Sequence, residues 1–266
     1  MSLSSSIDFL TLNRQAWDAQ ALAQQPWSRP VSAELIAAAK AGQWQVHLTP
    51  QPLPEGWLGD VSGRKILCLA SAGGQQAPVL AAAGADVTVF DLSDQQLAQD
   101  RLVAERDGLS LRTEQGDMRD LSRFGDASFD LIFQPIANLY VPSVLPVWAQ
   151  CARVLKPGGA MLASFYNPVV FVADRDPKYR AEGVIKPKYT LPYSDLNDLS
   201  AAELAAKQAR QEALVFGHSL TDLIAGQLHA GLLLADFYED SQPQARFLID
   251  EYLPTFLATK SIKPEG

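Results

Sequence analysis

One stretch predicts the fold of this chain more directly than any other: Lys65-Ile-Leu-Cys-Leu-Ala-Ser-Ala-Gly-Gly-Gln-Gln76. Its first part, Ile66 to Leu69, is an apolar run too short for a helix, so it predicts a buried strand. The small residues from Ala70 to Gly74 predict a turn in which the backbone can approach a ligand closely. Gln75 to Ala83 has the composition of a helix, whose first N–H groups would face that turn. The predicted order is therefore strand, turn and helix.

A second strand follows and ends on a carboxylate: Val87-Thr-Val-Phe-Asp91. In a strand–turn–helix–strand unit, a carboxylate at this place is positioned to accept hydrogen bonds from the diol of a ribose. Leu92 comes directly after it and is expected to pack on an adenine face. The pattern therefore predicts a site for a ligand that contains adenosine.

Strand and helix patterns alternate along the chain from Gly63 onward. Strands are predicted at 109–114, 129–134, 160–166, 232–239 and 254–262, and helices at 93–107, 144–155 and 220–230. This rhythm predicts an α/β fold with a doubly wound, Rossmann-like sheet, helices on both faces and right-handed crossovers.

Two parts of the chain fall outside the alternating pattern. Residues 1–60 contain two predicted helices and a proline-dense connector, so we expect an N-terminal helical arm or lid. Residues 61–262 form the predicted core domain. Within it, residues 167–217 break the rhythm before the last helix and are predicted to form an inserted cap on the substrate side.

Composition and charge exclude several classes of protein. The 266 residues are 47% hydrophobic, which is typical of a folded chain, and the net charge of −8 argues against a broad nucleic-acid or anionic-membrane surface. Met1 to Asp8 lacks the basic and apolar regions of a secretory signal, and no segment approaches the roughly 20 apolar residues that cross a bilayer. We therefore expect a cytoplasmic protein with neither nucleic acid nor membrane as a partner.

The loops that follow the predicted strands carry the candidate site, because the carboxyl ends of parallel strands meet at one edge of the sheet. The candidate cofactor contacts are Ala70, Ser71, Gly73, Gly74, Gln75, Asp91, Leu92, Asp117, Met118 and Gln134. Asp117 is expected to accept from an exocyclic amine and Met118 to cover the ring. Asn138 and Asn167 are candidate substrate contacts. A purely structural explanation stays open for Asp91 as a helix cap and for Gly73-Gly74 as a simple turn.

Four segments resemble, in order, the motifs of the class I S-adenosylmethionine-dependent methyltransferases, particularly their small-molecule branch. They are Cys68-Leu-Ala-Ser-Ala-Gly-Gly74, then Asp91, then Gly116-Asp-Met118 ahead of Phe129-Asp-Leu-Ile, and finally Arg153-Val-Leu-Lys-Pro-Gly-Gly159. The last is the most specific. The resemblance covers roughly residues 63–262. It implies a sheet of seven strands with the last antiparallel, and S-adenosyl-L-methionine as the cofactor.

The first of these segments departs from the family pattern. Cys68 stands where the family has an acidic residue, and Ala70 and Ala72 replace two of its glycines. Alanine adopts a positive φ only at a cost. The acid that is absent would have been a partner for the ammonium group of the cofactor. Gln75, Gln76 or the N-terminal arm are candidates to supply that contact.

The expected activity is methyl transfer from S-adenosylmethionine to an unidentified small molecule by direct displacement. If the acceptor is a hydroxyl or an amine, a base must take its proton; His218 is the first candidate, His47 a weaker one, and Tyr140 is expected to position the acceptor. The three histidines show no metal-binding spacing. Two alternatives stay open: an NAD(P)-dependent oxidoreductase, although the Gly-x-Gly-x-x-Gly spacing is absent, and a non-catalytic S-adenosylmethionine-binding protein.

Overall fold

The computed structural model describes residues 7–265. The segment Met1 to Asp8, in which no secretory signal is predicted, therefore lies mostly outside the described residues. Its strands are β1 (Lys65–Leu69), β2 (Asp86–Asp91), β3 (Leu111–Gln115), β4 (Phe129–Gln134), β5 (Leu155–Tyr166), β6 (Tyr193–Ser194), β7 (Phe216–Gly217), β8 (Leu233–Asp240) and β9 (Phe256–Ile262). Seven of them form one sheet in the order β3-β2-β1-β4-β5-β9-β8, and β9 runs antiparallel to both of its neighbours. The predicted seven-stranded α/β sheet with an antiparallel last strand is confirmed.

Helices connect these strands and begin close to where the sequence predicts them. They are α1 (Phe9–Leu22), α2 (Ala33–Lys40), α3 (Gln76–Ala82), α4 (Asp94–Asp107), α5 (Leu145–Val154), α6 (Pro177–Ala181), α7 (Asp195–Asp198), α8 (Ala201–Ala209) and α9 (Gly226–His229). Ser32 and Ser93 cap α2 and α4, since each hydroxyl accepts a backbone N–H three residues later. Within residues 7–265, no helix is both long and apolar enough to cross a membrane.

Strand β1 is buried on both faces, which fixes the layered architecture. Ile66 and Cys68 pack into one apolar cluster, and Leu67 and Leu69 into the cluster on the opposite face. This alternation follows from the period of two along a strand and requires helices on both sides of the sheet. Burial raises the pKa of the Cys68 thiol, so the group that replaces the family's acid stays protonated and uncharged.

The segment before β1 folds over the carboxyl edge of the sheet. Asn13 on α1 donates to the carbonyls of Tyr140 and Leu214 and accepts from the N–H of Leu214, at 2.7–3.1 Å. Further along the arm, the carbonyl of Leu48 accepts a hydrogen bond of 2.6 Å from Ser164 on β5. The arm is thus bonded to segments that lie more than 100 residues away in the sequence.

The predicted insertion at 167–217 has a small apolar core of its own, built on Val170, Phe171 and Tyr193. A short antiparallel pair, β6 and β7, closes it. Asp195 is fully buried in this cap and accepts hydrogen bonds from Tyr193, the N–H of Val215 and Lys207. The predicted final helix differs in detail, because α9 is preceded by a π-helical turn at Thr221–Ala225.

Candidate active site

A cavity of about 780 Å³ lies at the carboxyl ends of the parallel strands. β1 and β4 are neighbours in the sheet although β2 and β3 lie between them in the chain, so the strand order reverses here, and ligands bind at such points in open α/β sheets. Residues that follow β1, β2, β3 and β4 form its sheet side. The N-terminal arm, the cap and the loop between β8 and β9 form the remaining walls.

The β1–α3 loop takes a glycine-like shape without glycine at two of its positions. Ala70 has φ 48° and Ala72 has φ 65°, both in the left-handed region that L-residues adopt at a cost. Both line the cavity, as does Ser71 between them. Ser71 is fully buried, and its hydroxyl has no hydrogen-bond partner within the described part of the chain.

Gly73 and Gly74 are not among the residues that line the cavity, and their approach to a cofactor stays a prediction. A Cβ on Gly73 would clash with the backbone carbonyl of Gln96, and one on Gly74 would lie 3.0 Å from Pro30. The N–H of Gly74 donates to Asp100 at 2.8 Å. These glycines therefore allow α4 and the arm to pack closely on the loop.

Asp91 lies at the end of β2 and lines the cavity together with Leu92. Its carboxylate accepts a hydrogen bond of 2.8 Å from the N–H of Ser93. Burial raises the pKa of Asp91 to about 6; the Ser93 N–H opposes the shift, and the charge of nearby Asp18 adds to it. A ligand that donates hydrogen bonds to this carboxylate would stabilise its charged form.

Asp117 and Met118 line the same side of the cavity. Asp117, which was expected to accept from an exocyclic amine, already has a partner within the chain. The Asp117 carboxylate is already bonded to the guanidinium of Arg119, with Nε donating at 2.8 Å. Met118 is 8% exposed and approaches the Gln134 amide at 3.4 Å. Gln134 itself is fully buried behind the wall, with Oε1 lacking a partner among residues 7–265.

The glutamines of the loop bind the arm. Gln75 lines the cavity, yet its side-chain amide donates to the carbonyls of Pro26 and Arg29 at 2.7 and 3.2 Å. The Gln76 side chain accepts from the N–H of His47 at 2.9 Å. They therefore hold the arm over the loop through one polar atom each, and both residues line the cavity.

Sequence reasoning missed Gln96, which lines the cavity from the first turn of α4. Its side-chain amide donates to Ser28 at 2.6 Å, while its Oε1 has no partner in the described chain. The available signal was its position: three residues after the N-cap Ser93, it points back toward the strand ends.

Of the two histidines considered as a base, His47 lines the cavity and His218 does not. His218 is only 7% exposed, lies outside the cavity wall and has Nε2 2.9 Å from the carbonyl oxygen of Asn138; burial lowers its pKa. It packs behind the turn at Asn138–Tyr140 and is not at the mouth. His47, on the arm, lines the cavity.

The two predicted substrate asparagines also lie outside the cavity wall. Asn138 is 1% exposed, and both polar atoms of its side chain lack partners within residues 7–265. Asn167 caps a turn, since its Oδ1 accepts from the N–H of Val169 at 3.2 Å. Tyr140, in contrast, lines the cavity and meets Trp17 of the arm edge-on, with ring centroids 5.1 Å apart. Burial raises the pKa of Tyr140, so its phenol keeps its proton.

The cap side of the cavity is formed by residues that no local pattern predicted. Tyr166 and Phe256 stack there with centroids 5.1 Å apart and an interplanar angle of 27°. The other polar and aromatic members of this wall are Arg175, Lys207, Glu212, Arg246 and Phe247. They come from β5, β9, the cap and the β8–β9 loop, so no sequence spacing brings them together.

The sheet side fits S-adenosylmethionine by its chemistry. Asp91 offers the acceptor that a ribose diol needs, and the unpartnered oxygens of Ser71 and Gln96 suit donors of the amino-acid end. Phe90 and Met118 supply an apolar wall for an adenine ring. Near the position of the expected carboxylate of β1, which is held by the buried Cys68, the cavity is lined by the neutral side chains of Ser71 and Gln96.

Comparisons with known proteins agree with this chemistry. A family model described as a methyltransferase domain matches residues 67–163. The protein described as uncharacterized methyltransferase YbaJ, from Bacillus subtilis, is 47% identical over 252 residues, which cover 94% of this chain and 97% of the relative. A ubiquinone biosynthesis O-methyltransferase from Bordetella avium is 29% identical over 173 residues, covering 61% of this chain and 68% of the relative.

Solved structures share the fold at low sequence identity. An S-adenosylmethionine-dependent methyltransferase from Mesorhizobium loti has a TM-score of 0.58 and 19% identity, over 78% of this chain and 94% of that one. A putative S-adenosylmethionine-dependent methyltransferase from Listeria monocytogenes has a TM-score of 0.59 and 19% identity, over 86% of this chain and all of that one. The family model and the relatives favour methyl transfer over the nicotinamide-dependent alternative.

Proposed function

The chain belongs to the class I S-adenosylmethionine-dependent methyltransferases, and we propose that it methylates a small molecule bound in the same cavity as its cofactor. S-adenosyl-L-methionine supplies a methyl group that is activated by the adjoining sulfonium. One observation carries the proposal: arm and cap close over a cavity of about 780 Å³. Pockets for small molecules measure roughly 300–1,000 Å³, so this cavity has room for a cofactor and a modest acceptor.

On the sheet side, the residues of this chain divide the work of holding the cofactor. We assign the ribose to Asp91, the adenine to the wall of Phe90, Leu92 and Met118, and the amino-acid end to Ser71 and Gln96. Because Ser71 and Gln96 keep buried oxygens without partners, a bound donor would relieve a desolvation cost that the free protein carries.

The acceptor is assigned to the cap side, where Tyr140 separates it from the sheet side. Tyr140 keeps its phenolic proton, so it acts as a hydrogen-bond donor that orients the acceptor and does not act as a base. Arm and cap exclude water from the reacting atoms, and alignment of the two reactants supplies much of the rate enhancement.

His47 takes the place of His218 as the proposed base. Its Nδ1 lies 3.3 Å from the carbonyl oxygen of Gln51. A carbonyl oxygen only accepts, so a neutral imidazole that makes this bond carries its proton on Nδ1 and leaves the lone pair of Nε2 free. In this role Nε2 removes the proton from an acceptor hydroxyl or amine as the methyl group is transferred.

The experiment that tests this function separates binding from transfer. Thermal shifts with S-adenosylmethionine, S-adenosylhomocysteine and NAD should reveal stabilisation by the first two only, since a ligand that binds the native state raises apparent stability. Formation of S-adenosylhomocysteine is then followed with a panel of small phenols, amines and carboxylic acids. Methyl transfer into protein or RNA, with none into any small molecule, would contradict the proposal.

A further inference from the structure

The cap side of the cavity carries more positive than negative charge, although the chain as a whole has a net charge of −8. Its ionisable members are Arg175, Lys207, Arg246 and Glu212, besides tyrosines. Lys207 is neutralised by its buried ion pair with Asp195. Glu212 is bonded to Arg210, with Nε donating at 2.7 Å. Arg210 lowers the pKa of Glu212 most, and Arg246 contributes only a minor part.

Arg175 and Arg246 are held by aromatic rings and have no carboxylate within ion-pair distance among residues 7–265. Their guanidinium carbons lie 5.8 and 5.3 Å from the centroid of the same ring, Phe247. Arg175 also lies 5.4 Å from the ring of Tyr193. A ring face attracts a cation but does not neutralise it, and it leaves the in-plane N–H donors available.

Arg246 is connected to the acceptor wall by one further contact. Its guanidinium donates to the hydroxyl of Tyr166 at 3.3 Å, and the Tyr166 ring stacks on Phe256. Arg246 therefore adjoins the stacked rings of Tyr166 and Phe256, and Arg175 lines the same cavity beside Phe247; both arginines are exposed. A planar guanidinium matches the two oxygens of a carboxylate, which a lysine ammonium does not.

We propose that the methyl acceptor is an aromatic molecule that carries a carboxylate, and that Arg175 and Arg246 bind this carboxylate. The inference rests on the proposed function, because it specifies the acceptor class for the same cavity. The aromatic body packs on Tyr166 and Phe256, and the charged group replaces the carboxylate partner that the arginines lack. Anchored there, the acceptor's nucleophilic atom is directed toward the sheet side.

Matched pairs of probes test the charge requirement. The full-length chain, saturated with S-adenosylhomocysteine, is titrated by calorimetry with 4-hydroxybenzoate against 4-hydroxybenzamide and with indole-3-acetate against indole-3-acetamide. We expect the carboxylate to bind at least about tenfold more tightly than its amide in one or both pairs, as for a charge-assisted contact. In the double variant Arg175→Gln, Arg246→Gln this ratio should fall to about one.

Arg14→Gln is the matched control, because Arg14 is exposed on α1 and does not line the cavity. It should keep the wild-type ratio. Each single variant should reduce the ratio in part, so the result does not depend on the double variant alone. Affinity for S-adenosylhomocysteine should be the same in all of these proteins and reports on their folding.

Three results would overturn the inference: equal affinity for carboxylate and amide, binding of no member of either pair, or a preference that survives in the double variant. Each leaves the cofactor titration intact. If the wild type failed to bind S-adenosylhomocysteine at all, the proposed function itself would fall. The two failures are therefore distinguishable.

Discussion

The sheet side and the cap side of the cavity are built in different ways. On the sheet side, Asp91 and the residues of the β1–α3 loop directly follow strands, so the pairing of the strands sets their positions. On the cap side, Arg175 and Arg246 come from segments about 70 residues apart and meet through one ring, Phe247. Under the proposed assignment, the cofactor half depends on the common fold, whereas the acceptor half depends on the particular packing of this chain.

The largest expected effect falls on the sheet side, at Asp91. Asp91→Ala should weaken the binding of S-adenosylhomocysteine roughly 1,000-fold, because each hydrogen bond to a charged acceptor contributes about 1.5–3 kcal/mol and a ribose diol makes two. Calorimetric titration measures the loss. Asp94→Ala is the control, since Asp94 is exposed, pairs with Arg101 and lies off the cavity wall. Equal affinity in wild type and Asp91→Ala would remove the ribose assignment.

The next largest effect is expected at His47, which lines the cavity from the N-terminal arm and belongs neither to the sheet side nor to the cap side. His47→Gln should lower kcat about 100-fold with little change in cofactor affinity, because general base catalysis contributes roughly 10²–10⁴. The rate of S-adenosylhomocysteine formation at saturating substrate measures the loss. The control is His218→Gln, whose residue lies behind the wall. A larger loss in His218→Gln than in His47→Gln would reverse the assignment.

The histidines also illustrate what the sequence could and could not predict. Both follow short apolar segments, and nothing local distinguishes them. Asn13, at the far end of the chain, bonds to Tyr140 and Leu214 and so helps to place the arm over the cavity. These hydrogen bonds join residues up to 201 positions apart in the sequence, so no local pattern predicts them.

Strands and their ends were predictable because their signal is local. β4 occupies the predicted residues Phe129–Gln134, and β2 ends on Asp91 as expected. The glycine pair was harder to interpret, because a glycine serves a ligand or a neighbouring helix equally well. For Gly73, only the position of Gln96, 23 residues further along the chain, distinguishes the two uses. Sequence therefore predicted the fold and the strand ends at which the candidate residues lie, but not the residues across the cavity.

A smaller effect follows from the protonation of Asp91. In the folded chain its pKa is raised to about 6, chiefly by burial. The carboxylate form accepts the ribose hydrogen bonds, so affinity for S-adenosylhomocysteine should fall about tenfold between pH 7.5 and pH 5. Calorimetry at these pH values measures the trend, and Asp91→Asn should show weak binding without it. An identical pH dependence in Asp91→Asn would assign the titration to another group.

The raised pKa of Asp91 also predicts how the stability of the cofactor-free protein depends on pH. Whereas cofactor affinity should be higher at high pH, the contribution of Asp91 to stability should be higher at low pH. An unfolded Asp releases its proton near pH 4, whereas Asp91 in the folded chain holds it to about pH 6. Between these values the folded state binds more protons, so this group's contribution to stability falls as pH rises from about 4 through 6. In cofactor-free protein, the Tm of the wild type relative to that of Asp91→Asn should therefore be lower at pH 7 than at pH 5. A difference in Tm that is constant with pH would contradict the raised pKa.

The smallest expected effect concerns Ala72, which stands in the β1–α3 loop where the family pattern has a glycine. Ala72 holds φ 65°, where an L-residue costs about 1 kcal/mol and glycine nearly nothing, so Ala72→Gly should raise the free energy of unfolding by up to about 1 kcal/mol. Ala81→Gly, inside the last turn of α3, is the matched control and should lower it by about 0.5–1 kcal/mol. Urea denaturation measures both, and a loss of stability in Ala72→Gly would mean that the methyl group packs usefully. Cofactor affinity should change less than threefold, because the backbone shape of the loop is already that of a glycine loop.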